Sequence, residues 1–180
     1  MSDLLEVSRI QAGKLEMRPQ PCALAAIVRD TVEDERLSHP TRTIQFDMAT
    51  ESLPAVVDAD RIRQVVTNYL TNALKYAPAD QPITVTVARD GEQGDLAWVA
   101  VRDQEPGLAA EQQARIWDRF HRTSGIEQQD GSSVGLGLGL YISREIVERH
   151  GGHVGVESEV GQGSTFWFTL PLDHELPHST

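Results

Sequence analysis

Apolar residues recur along this chain with two different spacings, and segments of the two kinds alternate. Some segments place them three or four positions apart, as on one face of an α-helix, while others alternate them with polar residues or group them in short runs, as in strands. The helical spacing covers residues 4–10, 23–37, 62–76 and 138–147. The strand pattern covers residues 43–48, 54–57, 83–88, 96–101, 153–157 and 164–170. The pattern therefore predicts an α/β fold.

Turn and cap residues divide this pattern into segments. Pro19 and Pro21 predict a break in the chain after the first helix, so we expect a domain to begin near residue 19. Asp58 or Asp60 is expected to cap the third helix, and Gly151-Gly152 to end the fourth. We divide the chain into an N-terminal helical segment with its linker, one domain and a polar tail: residues 1–18, 19–172 and 173–180.

Residues 104–134 show no sustained periodicity apart from a short helical piece around residues 109–120. They end in a stretch rich in Gly, Ser, Asp and Gln, which predicts a long mobile loop. Loops of this length inside compact domains are usually functional lids or disordered segments.

The chain is acidic, with 16 Lys and Arg against 27 Asp and Glu among 180 residues and a formal net charge of −11. This balance argues against binding to nucleic acid or to an anionic membrane surface. The single cysteine, Cys22, excludes a disulfide framework. No uncharged run reaches the roughly 20 apolar residues of a membrane span, and the first residues do not resemble a secretory signal. The sequence predicts no membrane contact by this segment.

The two asparagines of the chain, Asn68 and Asn72, lie one turn apart on the third predicted helix. With Gln64 and Lys75 they fall within an arc of roughly 80° beside the apolar face, at ~100° per residue. A solvated helix face would be the better interpretation of any one of them alone. Two stacked carboxamides beside a lysine instead suit Mg²⁺, which takes few protein ligands and completes its shell with phosphate oxygens and waters.

Glycines are concentrated around the start of the fourth helix, since 10 of the 14 lie between Gly125 and Gly163. Gly135, Gly137 and Gly139 alternate with leucines and lead directly into that helix, whose first N–H groups and positive dipole end attract anions. A plain turn would explain one glycine but not three at this spacing, so the pattern predicts a phosphate site. It matches neither the dinucleotide-binding fingerprint nor a Walker A loop.

Asp103 follows the strand at residues 96–101 and opens the sequence Asp-Gln-Glu-Pro-Gly, which alone would indicate a turn. Together with the other segments, it resembles the series of motifs found in sensor histidine kinases. The N box, first glycine box, F box and second glycine box of that family resemble residues 68–76, 103–107, 116–122 and 135–139, in this order. Residues 4–15 also look like the end of a second dimerisation helix, and residues 161–171 like the family's closing strand.

The resemblance implies the Bergerat ATP-binding fold. This fold is a two-layer α/β sandwich, in which about three helices cover one face of a mixed sheet of about five strands and a flexible lid closes over ATP. The predicted order of helices and strands agrees with it.

The resemblance also implies roles for individual residues. Asn72 would be the main Mg²⁺ ligand with Asn68 beside it, and Lys75 would reach a phosphate. Tyr76 would pack near the adenine, and Asp103 would accept a hydrogen bond from the adenine amino group.

The remaining boxes would complete the ATP site. Arg122 would approach the γ-phosphate when the lid closes, and the second glycine box would hold the phosphates through backbone N–H groups. The further nucleotide-binding residues implied are Gly107, Phe120, Gly135, Gly137, Leu138 and Gly139. The catalytic residues implied are Asn68, Lys75 and Arg122.

Position 68 distinguishes among related families. ATP-hydrolysing members such as gyrase and Hsp90, and the anti-sigma serine kinases, resemble one another in having a Glu there, which activates water or a hydroxyl. A neutral imidazole already has a free lone pair. Asn68 therefore favours phosphorylation of a histidine over ATP hydrolysis or serine phosphorylation.

The function implied is that of the ATP-binding catalytic domain of a two-component sensor histidine kinase, acting on Mg-ATP in the cytoplasm. Its partners would be a dimerisation domain carrying the phosphoacceptor histidine, expected outside these 180 residues, and the receiver domain of a response regulator. Glu105, however, stands where the family usually has glycine, close to the nucleotide. The alternative hypothesis is a degenerate, non-catalytic module of the same fold that acts through protein contacts.

Overall fold

The computed structural model describes residues 3–48, 53–90, 94–104, 110–113, 116–118 and 138–172. The helices in these ranges are α1 (Asp3–Gln11), α2 (Leu24–Ser38), α3 (Ala59–Tyr76), α4 (Ala110–Gln113) and α5 (Gly139–Arg149). The strands are β1 (Gln20–Ala23), β2 (Ile44–Met48), β3 (Pro54–Val57), β4 (Ile83–Asp90), β5 (Leu96–Asp103), β6 (His153–Glu159) and β7 (Gly163–Pro171). The four helical and six strand segments predicted from the periodicity form the expected kinds of element. The short helical piece expected around residues 109–120 is helical at Ala110–Gln113, whereas residues 116–118 form a turn.

Five strands form one mixed sheet in the order β2-β4-β5-β7-β6. β2 runs parallel to β4, and the other neighbouring pairs are antiparallel. The predicted hairpin is β4–β5. Strand β5 is the central strand, between β4 and β7, and Asp103 at its end pairs with Ser164 of β7.

The helices cover one face of this sheet. The side chains on that face are apolar and buried, and one row crosses three strands through Val87, Val99 and Phe168. α2 packs on β2 and β4, α3 on β5, and α5 on β6 and β7. Each such fully buried side chain contributes about 1.5–3 kcal/mol to stability. The two-layer α/β sandwich and its mixed five-stranded sheet are confirmed.

The start of α3 is fixed by two contacts. The Asp58 carboxylate accepts a hydrogen bond from the Arg61 backbone N–H at 3.3 Å, so Asp58 rather than Asp60 is the cap. The Asp58 backbone N–H in turn donates to Nε2 of His150 at 3.0 Å. Because His150 follows the last residue of α5, this bond ties the start of α3 to the end of α5.

The prediction that Pro19 and Pro21 break the chain is wrong for residues 20–23, which form β1. β1 pairs antiparallel with β3 in a two-stranded ribbon separate from the main sheet. A strand with only one neighbour tolerates proline, because it does not need to donate hydrogen bonds on both sides. Four residues are also too few to display a clear period, so the sequence pattern does not show this strand.

Helix α1 packs on the domain through apolar and charged contacts. Glu6 accepts hydrogen bonds from Arg61 at 2.7 Å and from Gln64 at 2.9 Å, and α1 also contacts α5. Three apolar side chains of the N-terminal segment are buried in the core: Val7, Ile10 and Leu15. A helix of nine residues is too short to be stable alone, so these contacts stabilise it.

Most of the predicted loop lies outside the described residues, namely 105–109, 114–115 and 119–134. In the described part, Ile116 and Trp117 are buried in the core, with only 4% and 9% of their surface exposed. The sequence pattern does not predict this anchoring point. Among the described helices, none is both long enough and apolar enough to cross a membrane.

Candidate functional site

The polar residues predicted on α3 lie along the edge of its buried face. Asn68, Asn72, Lys75 and Tyr76 are partly exposed, and they adjoin fully buried positions of the same helix. These four side chains line a helix edge that is open to solvent on one side and anchored to the core on the other. Gln64 differs, because it donates to Glu6 and so belongs to the contact with α1.

Asn68 joins this edge to the start of α5. Its Nδ2 donates to the Gly139 carbonyl oxygen at 3.2 Å and to Oγ of the fully buried Ser143 at 3.1 Å. Both protons of the side-chain amide are then in use, so the side-chain oxygen of Asn68, Oδ1, is the atom left for a ligand. A carboxamide has no basic lone pair, and position 68 therefore cannot take a proton from a nucleophile.

Helix α5 begins without a side-chain cap. Its N-cap residue Leu138 is 1% exposed and makes no capping hydrogen bond through its side chain, and the first turn holds no acidic residue. The first backbone N–H groups of a helix and the positive end of its dipole favour an anion. Leu138 and Gly139 thus place the end of the predicted glycine box at a helix terminus suited to phosphate.

The C-terminal end of α3, which carries Lys75 and Tyr76, is held by Arg42. The last carbonyls of a helix lack partners within it, and the Arg42 guanidinium donates to three carbonyl oxygens there: Leu74 at 3.0 Å, Ala77 at 3.4 Å and Pro78 at 3.3 Å. Nothing in the sequence around Arg42 indicates this role, because Arg42 is 32 residues from Leu74 and reaches it only in the fold.

Asp103 alone is fully buried among the charged residues in the described ranges, with 0% of its surface exposed. It ends β5 on the face that the helices cover, opposite Ser164 of β7. Burying a carboxylate costs stability unless polar groups compensate for the lost water. Charged groups placed at such a cost are concentrated at functional sites.

Three further residues lie on the strands next to the end of β5, and the sequence pattern does not identify them as part of the site. Ser164, its cross-strand partner, is 2% exposed. Ser158 of β6 lies with its Oγ 2.8 Å from Oγ of Ser164 and donates to the Gly163 carbonyl oxygen at 3.1 Å. A Cβ atom on Gly163 would overlap the Asp103 carbonyl oxygen. A single serine in a strand is ordinary at a solvent face, so only the register of the strands reveals this polar row.

Tyr69 connects the two parts of the site through the core. Its ring centroid lies 6.1 Å from that of Phe166, which pairs with Val101 two residues before Asp103. The Tyr69 hydroxyl donates to the Trp167 carbonyl oxygen at 3.2 Å. Burial raises the pKa of Tyr69 well above its usual value, because the phenolate would lose its hydration.

The side-chain oxygens of Asn68 and Asn72 are donor atoms of the kind that hard cations prefer. No cluster of three or more His, Cys, Asp or Glu occurs among those residues. The carboxamide oxygens of Asn72 and Asn68 could supply one or two ligands, which is enough for Mg²⁺ when phosphates and waters supply the rest. The donor set therefore fits a cation that binds together with phosphate.

The structure brings Asn68, Leu138 and Gly139 together where α3 meets α5. It places Asn72, Lys75 and Tyr76 further along α3, and Asp103 at the end of β5. The other predicted positions lie outside the described residues: Glu105, Gly107, Phe120, Arg122, Gly135 and Gly137.

The chain is similar to known proteins over nearly its whole length. Residues 57–174 match the family model described as histidine kinase-, DNA gyrase B-, and HSP90-like ATPase. The adaptive-response sensory kinase SasA of Synechococcus sp. (strain JA-3-3Ab) is 37% identical over 175 residues, which cover 96% of this chain and 45% of that protein. The chain thus spans less than half the length of this relative.

Solved structures show the same relationship. Full-length ShkA in complex with AMPPNP superimposes with a TM-score of 0.76 and 28% identity, over 94% of this chain and 34% of that one. The catalytic domain of histidine kinase ThkA, in a nucleotide-free form, gives a TM-score of 0.71 and 26% identity, over 86% and 96% of the two chains. The present chain therefore belongs to the histidine kinase-, DNA gyrase B-, and HSP90-like ATPase family, and it contains the ATP-binding catalytic domain of a sensor histidine kinase.

Proposed function

We propose that this domain binds Mg-ATP with groups from α3, α5 and β5, and that it transfers the γ-phosphoryl group to a histidine of a dimerisation and phosphoacceptor domain. The contact of Asn68 with Gly139 carries the proposal, because it sets two carboxamides and Lys75 on a helix edge beside the uncapped start of α5. Phosphate is the ligand that the polar edge of α3 and the start of α5 can bind together. Helix N–H groups and a lysine bind its oxygens, and a cation held by the carboxamides offsets its charge.

Within this proposal each end of the site has its own task. Asn72 and Asn68 hold Mg²⁺, which neutralises charge on the phosphates, and Lys75 binds a phosphate oxygen. Asp103 accepts a hydrogen bond from the adenine amino group, and Tyr76 packs near the base. The family resemblance adds Gly107, Phe120, Gly135, Gly137, Leu138 and Gly139 to the nucleotide site and Arg122 to the γ-phosphoryl group. The bound AMPPNP of the similar ShkA structure supports an adenine nucleotide as the ligand.

The transfer needs positioning and charge neutralisation rather than a base. The imidazole lone pair of the acceptor histidine forms the new P–N bond while the bond from the γ-phosphorus to the bridging oxygen breaks and ADP leaves. Water or a serine hydroxyl would instead need a group that accepts its proton. Asn68 cannot be that group, because a carboxamide has no basic lone pair.

The partners follow from the same reaction. We place the phosphoacceptor domain on the side of α1, because α1 resembles the end of a dimerisation helix and packs on α3 and α5. The receiver domain of a response regulator then accepts the phosphoryl group from the histidine. The supply of ATP places these steps in the cytoplasm.

Calorimetric titration of the purified chain with AMPPNP, with and without Mg²⁺, tests the nucleotide site. We expect binding that is tighter with Mg²⁺ and that weakens by about tenfold or more in Asp103→Asn, since a hydrogen bond to a charged group is lost. Asn72→Ala should remove most of the Mg²⁺ dependence. Asp90→Asn, at the exposed end of β4, makes the same change away from the site and should leave the affinity unchanged.

Glu105 defines the competing function. If the parent chain does not bind AMPPNP, the non-catalytic module becomes the better description. Glu105→Gly then decides the cause, because recovered binding would identify the Glu105 side chain as the obstacle, while continued absence of binding would remove it from consideration.

A further inference from the structure

We propose that Ser158 fixes the direction of the Ser164 hydroxyl and so helps the domain select a 6-amino purine over a 6-oxo purine. The inference rests on the proposed function, in which Asp103 faces the base. Ser158 would be a positioning residue, because it acts through Ser164 and not on the nucleotide itself.

The polar row beside Asp103 lies inside the fold. Asp103, Ser164 and Ser158 are consecutive cross-strand partners on β5, β7 and β6. Paired residues of antiparallel strands share one face of the sheet, and Asp103 and Ser164 are 0% and 2% exposed. The next row inward on the same face is apolar and consists of Val101, Phe166 and Val156. The row is therefore a polar rim at the end of the hydrophobic core.

Counting protons shows which arrangement of hydrogen bonds satisfies both contacts of the Ser158 hydroxyl. The Ser158 hydroxyl has one proton, and its oxygen lies 3.1 Å from the Gly163 carbonyl oxygen and 2.8 Å from Oγ of Ser164. A carbonyl oxygen can only accept, so both contacts are hydrogen bonds at once only when Ser158 donates to Gly163 and Ser164 donates to Ser158. We infer this direction, because it satisfies both contacts. Ser164 is left with lone pairs, and it is an acceptor towards a ligand.

A site that presents only hydrogen-bond acceptors discriminates between purines with a donor and purines with an acceptor at position 6. The Asp103 carboxylate and the Ser164 oxygen, next to each other on the sheet, both match an exocyclic amino group, which donates. A 6-oxo group, as in inosine or guanosine nucleotides, is itself an acceptor and would face two acceptors without a proton between them. Leaving buried polar groups unpaired in this way is the basis of strong discrimination. Without the Ser158 hydroxyl, the Ser164 proton is free to turn towards the ligand, and the discrimination weakens.

The test compares ATP with ITP, which differ only in the base. Calorimetry in the presence of Mg²⁺ gives the ratio of the two dissociation constants for the parent, Ser158→Thr and Ser158→Val. Threonine keeps the hydroxyl and valine has the same shape without it, so both variants present similar packing in β6. We expect the parent and Ser158→Thr to prefer ATP equally, and Ser158→Val to lose about fivefold of that preference. Thermal unfolding confirms that both variants are folded.

Repeating the Ser158→Val substitution in a Ser164→Ala protein shows whether Ser158 acts through Ser164. In Ser164→Ala the hydroxyl that Ser158 orients is missing, so adding Ser158→Val should not change the ratio further. Equal weakening of ATP and ITP in Ser158→Val would show a merely structural role and overturn the inference. If the parent chain binds ATP but Ser158→Val has the same ratio of ATP and ITP dissociation constants as the parent, this inference is overturned while the proposed function stands. A parent chain that binds neither nucleotide would overturn the proposed function and this inference with it.

Discussion

Gly163 lies against the carbonyl oxygen of Asp103, so closely that a Cβ atom at position 163 would overlap that oxygen. The φ of Gly163 is +91°, in the region that glycine tolerates and other residues rarely adopt. Asp103 and Ser164 are paired at this point of the β5–β7 ladder. Any group that pushes β7 away from β5 here therefore moves the end of the strand that carries the buried carboxylate.

Gly163→Ala should lower both stability and nucleotide affinity. The methyl group meets the Asp103 backbone, which cannot move without disturbing the ladder, and the positive φ adds strain, so we expect a loss of about 1–3 kcal/mol in the free energy of unfolding. Urea unfolding and titration with AMPPNP measure the two effects.

Gly161→Ala is the matched control for this change. Gly161 has a similar φ of +83°, but no atom lies within 4 Å of the position of its Cβ. It should therefore show the strain, about 1 kcal/mol, and leave AMPPNP binding unchanged. If the two variants lost affinity equally, contact with Asp103 would not be the reason that position 163 matters.

Asn68→Asp should destabilise the contact between α3 and α5. A carboxylate has the same shape as the amide but no protons to donate, so the Gly139 carbonyl oxygen, which can only accept, loses its hydrogen bond and faces another acceptor. We expect a loss of about 1–3 kcal/mol, measured by urea unfolding near neutral pH.

Asn72→Asp makes the same chemical change one turn along α3, where the side chain is partly exposed. Its effect on stability should stay within about 0.5 kcal/mol. A comparable loss in both variants would indicate a general effect of negative charge on α3 rather than loss of the bonds to α5.

The elements with strong local signals could be predicted from the sequence. Helix α3 has a regular apolar face and the Asp58 cap. Strand β4 alternates apolar and polar residues, and β5 is a short apolar run that follows the glycines after β4. β1 could not, because a four-residue strand containing Pro21 shows no period and is stabilised by pairing with β3.

Within the site, the sequence singled out residues that are unusual in type or spacing, such as Asn68, Gly139 and Asp103. It did not single out Ser158 or Arg42, because a serine in a strand and an arginine in a loop are ordinary at the surface. Their contacts join positions that are distant along the chain or on separate strands. Only the register of the strands and the packing of α3 bring such residues to the site.

Arg42→Met should loosen the last turn of α3. Methionine cannot donate to the Leu74, Ala77 and Pro78 carbonyl oxygens, and we expect a loss of about 1–3 kcal/mol in stability. Because Lys75 and Tyr76 lie in this turn, AMPPNP affinity should fall as well. Arg42→Lys should recover only part of the loss, since an ammonium group cannot reproduce the guanidinium fork.

Arg63→Met removes an arginine from an exposed position of the same helix. This control should change stability by no more than about 0.5 kcal/mol and leave AMPPNP binding unaffected. An equal loss of stability in Arg42→Met and Arg63→Met would show that the total charge of the chain, and not the capping of α3, explains the effect.

Tyr69→Phe should change how stability depends on alkaline pH. Burial holds the pKa of Tyr69 in the folded protein well above the unfolded value of about 10. The neutral phenol therefore stabilises the folded state fully below pH ~10, and this contribution is lost as the pH rises beyond the unfolded pKa, because the unfolded chain then releases a proton that the folded chain keeps.

Below pH ~10 the variant should be less stable than the parent by about 1 kcal/mol, since it lacks the hydrogen bond to Trp167. Above pH ~10 the parent should lose up to about 1.4 kcal/mol per pH unit more than the variant, so the difference narrows and then reverses. Urea unfolding of both proteins from pH 8 to 11 measures this, and since all other titrating groups are shared, a difference independent of pH would show that Tyr69 ionises as readily in the folded chain as in the unfolded one.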